Sequence, residues 1–212
     1  MTISGVNARE LILEILLQIE EEGEHSHIAI RNALSKYQFL PKKERAFITR
    51  VCEGTLEYRI QIDYILDSFS KVTVEKMKPA IREILRSAVY QLKFMDSVPD
   101  SAVCNEAVKL AQRKGFYNLK PFVNGVLRTV IREMGNLKYP EKEEDIVSYL
   151  SVKYSMPKPL VIRWLNDYGE ETTEKMLADF LTEKPLTVRC RIYKNDPEEV
   201  KKSLENQGVT VE

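Results

Sequence analysis

The chain has 212 residues, 43% of them apolar and 30% charged, with 32 Lys/Arg balanced by 32 Asp/Glu; this suits one domain or one and a half, and argues against a uniformly basic nucleic-acid binder. No run approaches the roughly 18 apolar residues that a membrane span needs, and no apolar secretion signal follows Met1, so a cytoplasmic protein with no membrane partner is expected. Cys52, Cys104 and Cys190 are odd in number and widely spaced, which indicates neither a disulfide framework nor a zinc site.

From residue 6 to about 135, apolar residues recur at helical spacing and turn residues punctuate them. The first helix starts at Asn7, with Glu10 as a capping-box partner, and buries Leu11, Ile12, Ile15, Leu16 and Ile19. A short helix runs from near Ser26 to about Lys36. Pro41 suits the first turn of a third, carrying Ala46, Phe47, Val51 and Leu56, and Ile62, Ile65, Leu66 and Phe69 mark a fourth. Pro79 opens a fifth with Ile81, Ile84, Leu85, Ala88, Val89 and Leu92; Ser101 begins a sixth that stops at Gly115. A seventh spans about 118–135 with Phe122, Val126, Leu127, Val130 and Ile131 inward.

Near residues 136–144 the charge changes sign and Pro140 interrupts the pattern, which places a boundary between residues 1–138 and 139–212. Helices are expected at about 143–153, 157–168 and 170–183. Leu186 to Tyr193 then alternates at period two like a strand, Asp196-Pro197-Glu198-Glu199 starts a helix, Gly208 ends it, and Val209-Thr210-Val211 resembles a second strand. The expected fold is therefore mainly α: an all-helical bundle, a helical linker, and a truncated β-α-β segment of ferredoxin- or RRM-like type, as in a piece of a longer protein.

Signals of catalysis are weak. The glycines never fall at G-x-G spacing, so no loop is expected to cradle a nucleotide or S-adenosylmethionine. Cys52 and Cys104 sit on apolar helix faces and Cys190 lies between arginines, without the adjacent base a nucleophile needs. His25 and His27 beside a run of glutamates lack helical ligand spacing, and a solvated loop is the simpler reading; no metal is expected.

The positive signal is basic. Residues 61–140 hold 13 Lys/Arg against 8 Asp/Glu, whereas 141–212 hold 11 against 15, so a polyanion is expected on the first part. Lys109, Arg113, Lys114, Lys120, Arg128 and Arg132 follow one another without an intervening acid, beside Phe116 and Tyr117. Lys42, Lys43, Arg45, Arg50 and Arg59 form a second cluster on the third helix and just after it, and Arg9 can join either. Lys and Arg bind phosphates, and exposed rings stack on unpaired bases; the charge pattern alone equally suits ordinary solvated helix faces.

Several segments resemble NusB-type RNA-binding domains: Glu44 to Arg50 and Glu53 to Leu56, Ile84 to Leu92, Asn105-Glu106-Ala107-Val108, and Phe122 to Arg128. Tyr154-Ser155-Met156-Pro157, Trp164-Leu165, Tyr168-Gly169 and Lys184 to Arg189 extend the likeness over essentially the entire chain, toward the RsmB/Sun family of bacterial small-subunit rRNA cytosine-5 methyltransferases. The resemblance implies a NusB-like bundle that positions ribosomal RNA for a catalytic domain in cis, with S-adenosylmethionine as cofactor of the full-length enzyme and none in this chain. Catalytic cysteines of that family usually follow proline; none does here, so the chain as given is expected to be inactive. Asn105, Glu106, Asn124 and Arg128 are implied either as RNA-facing or as helix-to-helix hydrogen-bonding residues. A protein-interaction module and a NusB-type transcription antitermination factor are the alternatives.

Overall fold

The computed structural model describes residues 6–182, 187–191 and 196–211. Among them are ten α-helices: α1 (Ala8–Glu22), α2 (Ser26–Lys36), α3 (Lys42–Glu57), α4 (Arg59–Phe69), α5 (Pro79–Phe94), α6 (Asp100–Arg113), α7 (Lys120–Glu133), α8 (Ile146–Lys153), α9 (Lys158–Phe180) and α10 (Pro197–Asn206). They divide into two compact units, one through Asp179 and one from Phe180. No described helix is long and apolar enough to cross a membrane.

The first unit is built around α5, which is buried on nearly all sides and carries Ile81, Ile84, Leu85, Ala88 and Val89 into the core. Helices α1, α3, α4, α6 and α7 each present one apolar stripe to it. A fully buried Leu or Ile contributes roughly 1.5–3 kcal/mol, so this core dominates the unit's stability. At the start of α1, Asn7 Oδ1 accepts from the backbone N–H of Arg9 (3.0 Å) and Glu10 (3.1 Å). The Glu10 carboxylate faces Lys114 Nζ at 3.1 Å, so the reciprocal half of the capping box is replaced by a tertiary ion pair. Ile131, expected inward, is 37% exposed.

After residue 138 the chain packs on α4 within the same unit. Buried Gln61 donates through Nε2 to the carbonyls of Val152 (3.2 Å) and Lys153 (3.0 Å), which end α8, and Tyr64 Oη donates to Lys138 O (2.8 Å). A smaller core of Leu150, Val161 and Leu177 joins α8 to α9. The break expected between helices at 157–168 and 170–183 falls at Gly169, whose φ 75° and ψ 175° are non-helical and divide α9 into two helical stretches. Only glycine enters that region without strain.

The β-α-β segment is not formed. Residues 187–191 contain no strand and are largely exposed, and Val209, Thr210 and Val211 likewise form none; Leu186, Ile192 and Tyr193 lie outside the described residues. Period-two alternation favours a strand only when a neighbour supplies the ladder hydrogen bonds and a layer to bury the apolar face, and no such neighbour exists among the described residues. The intervening helix does form as α10, with Asp196 Oδ1 accepting from Glu198 N (3.1 Å).

One feature of α5 breaks the apolar pattern. Arg86 donates to both oxygens of Asp63 on α4 (2.7 Å each), to Glu20 of α1 (2.7 Å) and to Glu83 (2.6 Å), while Arg82 also reaches Glu20 (2.6 Å). Three carboxylates share two guanidiniums. Burial, reinforced by hydrogen bonding to Glu20 and only partly opposed by Arg86, pushes Glu83 up to about 7, and burial also raises Asp63. A carboxyl raised above its ordinary value contributes its stability at acid pH and loses it as the pH climbs through the folded-state value. The unfolding free energy of the wild type is therefore expected to lose Glu83's contribution between about pH 4.5 and pH 7, at up to about 1.4 kcal/mol per pH unit. Glu83→Gln, followed by thermal melts across that range, is expected to flatten the profile; parallel profiles would show that Glu83 is ionised throughout.

Candidate nucleic-acid interface

The start of α1 meets α3 and α6 within the first unit. There the Arg9 guanidinium lies over the Phe47 ring, 5.4 Å from its centroid, a cation–π arrangement that holds the fork flat. Burial pushes the Arg9 pKa down, opposed only by the charge of Glu106. The buried Arg9 Nε has no hydrogen-bond partner among the described residues. A cavity of about 10 Å³ beside it is lined by Ile12, Gln91 and Ala107 among others.

Around this arginine the charges gather. Glu106 on α6 is held below the usual carboxylate range first by its hydrogen bond from Lys109 (2.8 Å) and further by Arg9 and Arg113. Lys109 and Arg113 are exposed and one turn apart on α6. Lys43, also exposed, stands one turn before Phe47 on α3. Three exposed cations therefore surround the half-buried Arg9, one carboxylate and one aromatic platform. On α7, Lys120, Asn124, Arg128 and Arg132 follow at intervals of four. Arg128 bonds to Asn124 Oδ1 (3.2 Å) and acts electrostatically on Cys104 of α6.

Several of the remaining expected residues are otherwise engaged. Arg45 donates to the Leu34 carbonyl (3.1 Å) and ties α3 to α2. Arg50 hydrogen-bonds the Tyr90 hydroxyl. Lys114 bridges Glu10 and Glu14, both at 3.1 Å, and Arg132 pairs with Glu133 at 2.7 Å. Arg59 is exposed near Asp63, and Lys42 is exposed at the start of α3. Phe47, read from sequence as core, is half-buried and serves as the Arg9 platform; its place four residues after Lys43 was the signal available. Tyr117 is exposed, whereas Phe116 packs on the core beneath the Lys78 ammonium.

The NusB family matches residues 6–132, more than half of the chain. The chain belongs to the NusB family. All twelve expected cations, from Arg9 to Arg132, fall inside the NusB span. The NusB-family chain is 31% identical over 206 residues to the probable ribosomal RNA small subunit methyltransferase B of Bacillus subtilis (strain 168), covering 97% of this chain and 45% of that protein. It thus spans about half the length of that relative. Against the transcription antitermination protein NusB of Symbiobacterium thermophilum it is 33% identical over 140 residues, covering 62% of this chain and 92% of that one. In fold it matches a crystal structure of the antitermination factors NusB and NusE in complex with dsRNA, with a TM-score of 0.55 and 20% identity over 59% of this chain and 93% of that one.

S-adenosylmethionine, the cofactor implied by the methyltransferase resemblance, does not fit the described residues of this NusB-family chain. The described glycines of positive φ, at 23, 115, 169 and 208, end or kink helices, and no strand-to-helix glycine turn is present among the described residues to cradle a nucleoside. Burial pushes the Cys52 thiol far above its ordinary value and raises Cys104, the opposite of what a cysteine nucleophile requires.

Proposed function

We propose that this chain is the RNA-holding part of a small-subunit rRNA cytosine-5 methyltransferase, in which the NusB-like residues 1–138 grip the RNA and residues 139–212 lead toward a catalytic domain. The observation that carries this reading is Arg9. A half-buried guanidinium has lost much of its hydration, and the Phe47 ring and the charge of Glu106 offset only part of that loss while the buried Nε stays unbonded. A phosphate would recover it, and Arg is suited to grip phosphate bidentately. Lys43, Lys109 and Arg113 add the diffuse positive field that draws in a polyanion. Methyl transfer from S-adenosylmethionine to cytosine would be the work of the catalytic domain, with this chain orienting the substrate. The methyltransferase reading is favoured over antitermination because the likeness to methyltransferase B runs over 97% of the chain, past the span shared with NusB.

Arg9→Met, which keeps apolar packing on Phe47 but removes the charge, is expected to weaken binding of a small-subunit rRNA fragment about tenfold, in line with roughly 1.5–3 kcal/mol for a charged hydrogen bond. Arg132→Ala, already paired with Glu133 on an exposed helix end, is expected to change it less than about twofold. Filter binding or anisotropy distinguishes them, and equal effects would refute the central role of Arg9.

A further inference from the structure

The corner between α2 and α3 carries features that, apart from Lys43, the Arg9 site does not use. From His25 to Lys43 there is no Asp or Glu, while Arg31, Lys36, Lys42 and Lys43 are all exposed. An open groove of about 530 Å³ runs there between Arg31, Leu34, Ser35, Gln38 and Arg45. Next in sequence to Gln38 of the groove, Phe39 is 64% exposed, touching Tyr37 edge-on with ring centroids 6.1 Å apart. The turn presenting it is well anchored. Leu40 is buried, its N–H donates to Tyr37 O (3.1 Å), and Arg45 clamps the end of α2 through Leu34 O. Beyond its edge contact with Tyr37, the Phe39 ring is held out into water on a segment whose exposed charges between His25 and Lys43 are all cationic.

We propose that this corner is a second RNA subsite, which takes an unpaired base stacked on Phe39 while Arg31, Lys42 and Lys43 hold the flanking phosphates. The proposal rests on the reading of the chain as RNA-binding and adds single-stranded RNA to its ligands. Charge complementarity selects the occupant, since an exposed ring on a segment whose own charges are all cationic suits a nucleobase carried on a phosphate backbone. The groove supplies polar edges at Gln38 and Ser35 for the base.

The test compares two RNAs, a blunt duplex and the same duplex with a single-stranded extension, against wild type, Phe39→Ala, Phe39→Leu and Phe39→Trp of the full chain. Wild type is expected to favour the extended RNA. Phe39→Ala and Phe39→Leu should lose about tenfold on the extended RNA, as removal of a base-stacking ring does, with blunt-duplex binding unchanged, and Phe39→Trp should retain the preference. Unchanged binding of both RNAs by Phe39→Ala, which would leave Phe39 to an apolar protein partner, overturns the proposal, and so does an equal loss on both. Failure of wild type to bind either RNA would instead bring down the RNA reading on which it rests.

Discussion

Replacing Arg86 by leucine is expected to remove about 3–5 kcal/mol from the unfolding free energy, as breaking a buried ion pair from one side does. For a unit whose total stability is of order 5–15 kcal/mol, that brings it near unfolding at room temperature. The size follows from what is left behind. The Arg86 side chain is 7% exposed and holds Asp63, Glu20 and Glu83 together. Burial opposes its charge, but the Asp63 hydrogen bonds and the three carboxylates outweigh burial and raise its pKa above the ordinary arginine value. Leucine leaves three carboxyl groups facing one another with only Arg82 nearby, to be held ionised without a partner or protonated at a cost. Lysine restores a charge but not the fork that reaches three partners, so Arg86→Lys should recover only part of the loss. Urea titration of the three proteins measures this directly; a loss under about 1 kcal/mol for Arg86→Leu would mean that the carboxylates are already relaxed into water.

A second large effect is expected at Gly54, where α3 crosses α5. A methyl group added there would collide with the ring of Tyr90, itself nearly fully buried. In an exposed helix, glycine to alanine stabilises by roughly 0.5–1 kcal/mol. At Gly54 the sign reverses, and Gly54→Ala should destabilise by about 2 kcal/mol or more because overpacking forces the ring or the helix aside. Gly125 on α7 is the internal control. Its added Cβ meets nothing within 4 Å, so Gly125→Ala should stabilise. Combining Gly54→Ala with Tyr90→Ala should recover part of the loss, a coupling of about 0.5–3 kcal/mol for residues in contact. Equal effects at the two glycines would refute the crossing geometry.

These two positions also show what a sequence yields. The Glu53 to Leu56 and Ile84 to Leu92 segments carried the family likeness, yet nothing in either says that the glycine of one lies under the tyrosine of the other. Helices were legible where local chemistry decides them: Asn7 caps α1, Pro79 opens α5, and the stripes of Ile and Leu name the buried faces. Pairing across the fold was not. Lys114 stood in a basic run, but Glu10 and Glu14, about a hundred residues earlier, neutralise it. Arg45 was legible as a cation and not as a clamp on the Leu34 carbonyl. The strand expected around residues 187–191 failed for a related reason, since alternation is local and a ladder is not. Arg86 and Glu83 did leave a trace, two opposite charges three residues apart inside an apolar helix, which is more informative than a surface cluster.

The most direct test of the account is the salt dependence of binding between the full chain and a small-subunit rRNA fragment, for wild type and for the Arg9→Met/Lys109→Ala/Arg113→Ala variant. Each phosphate neutralised contributes about 0.7–0.9 to the slope of log K against log salt. The account predicts a steep slope for wild type that falls by about 2–3 in the variant. Binding that is absent at moderate salt, or a slope that the triple variant leaves unchanged, would contradict it.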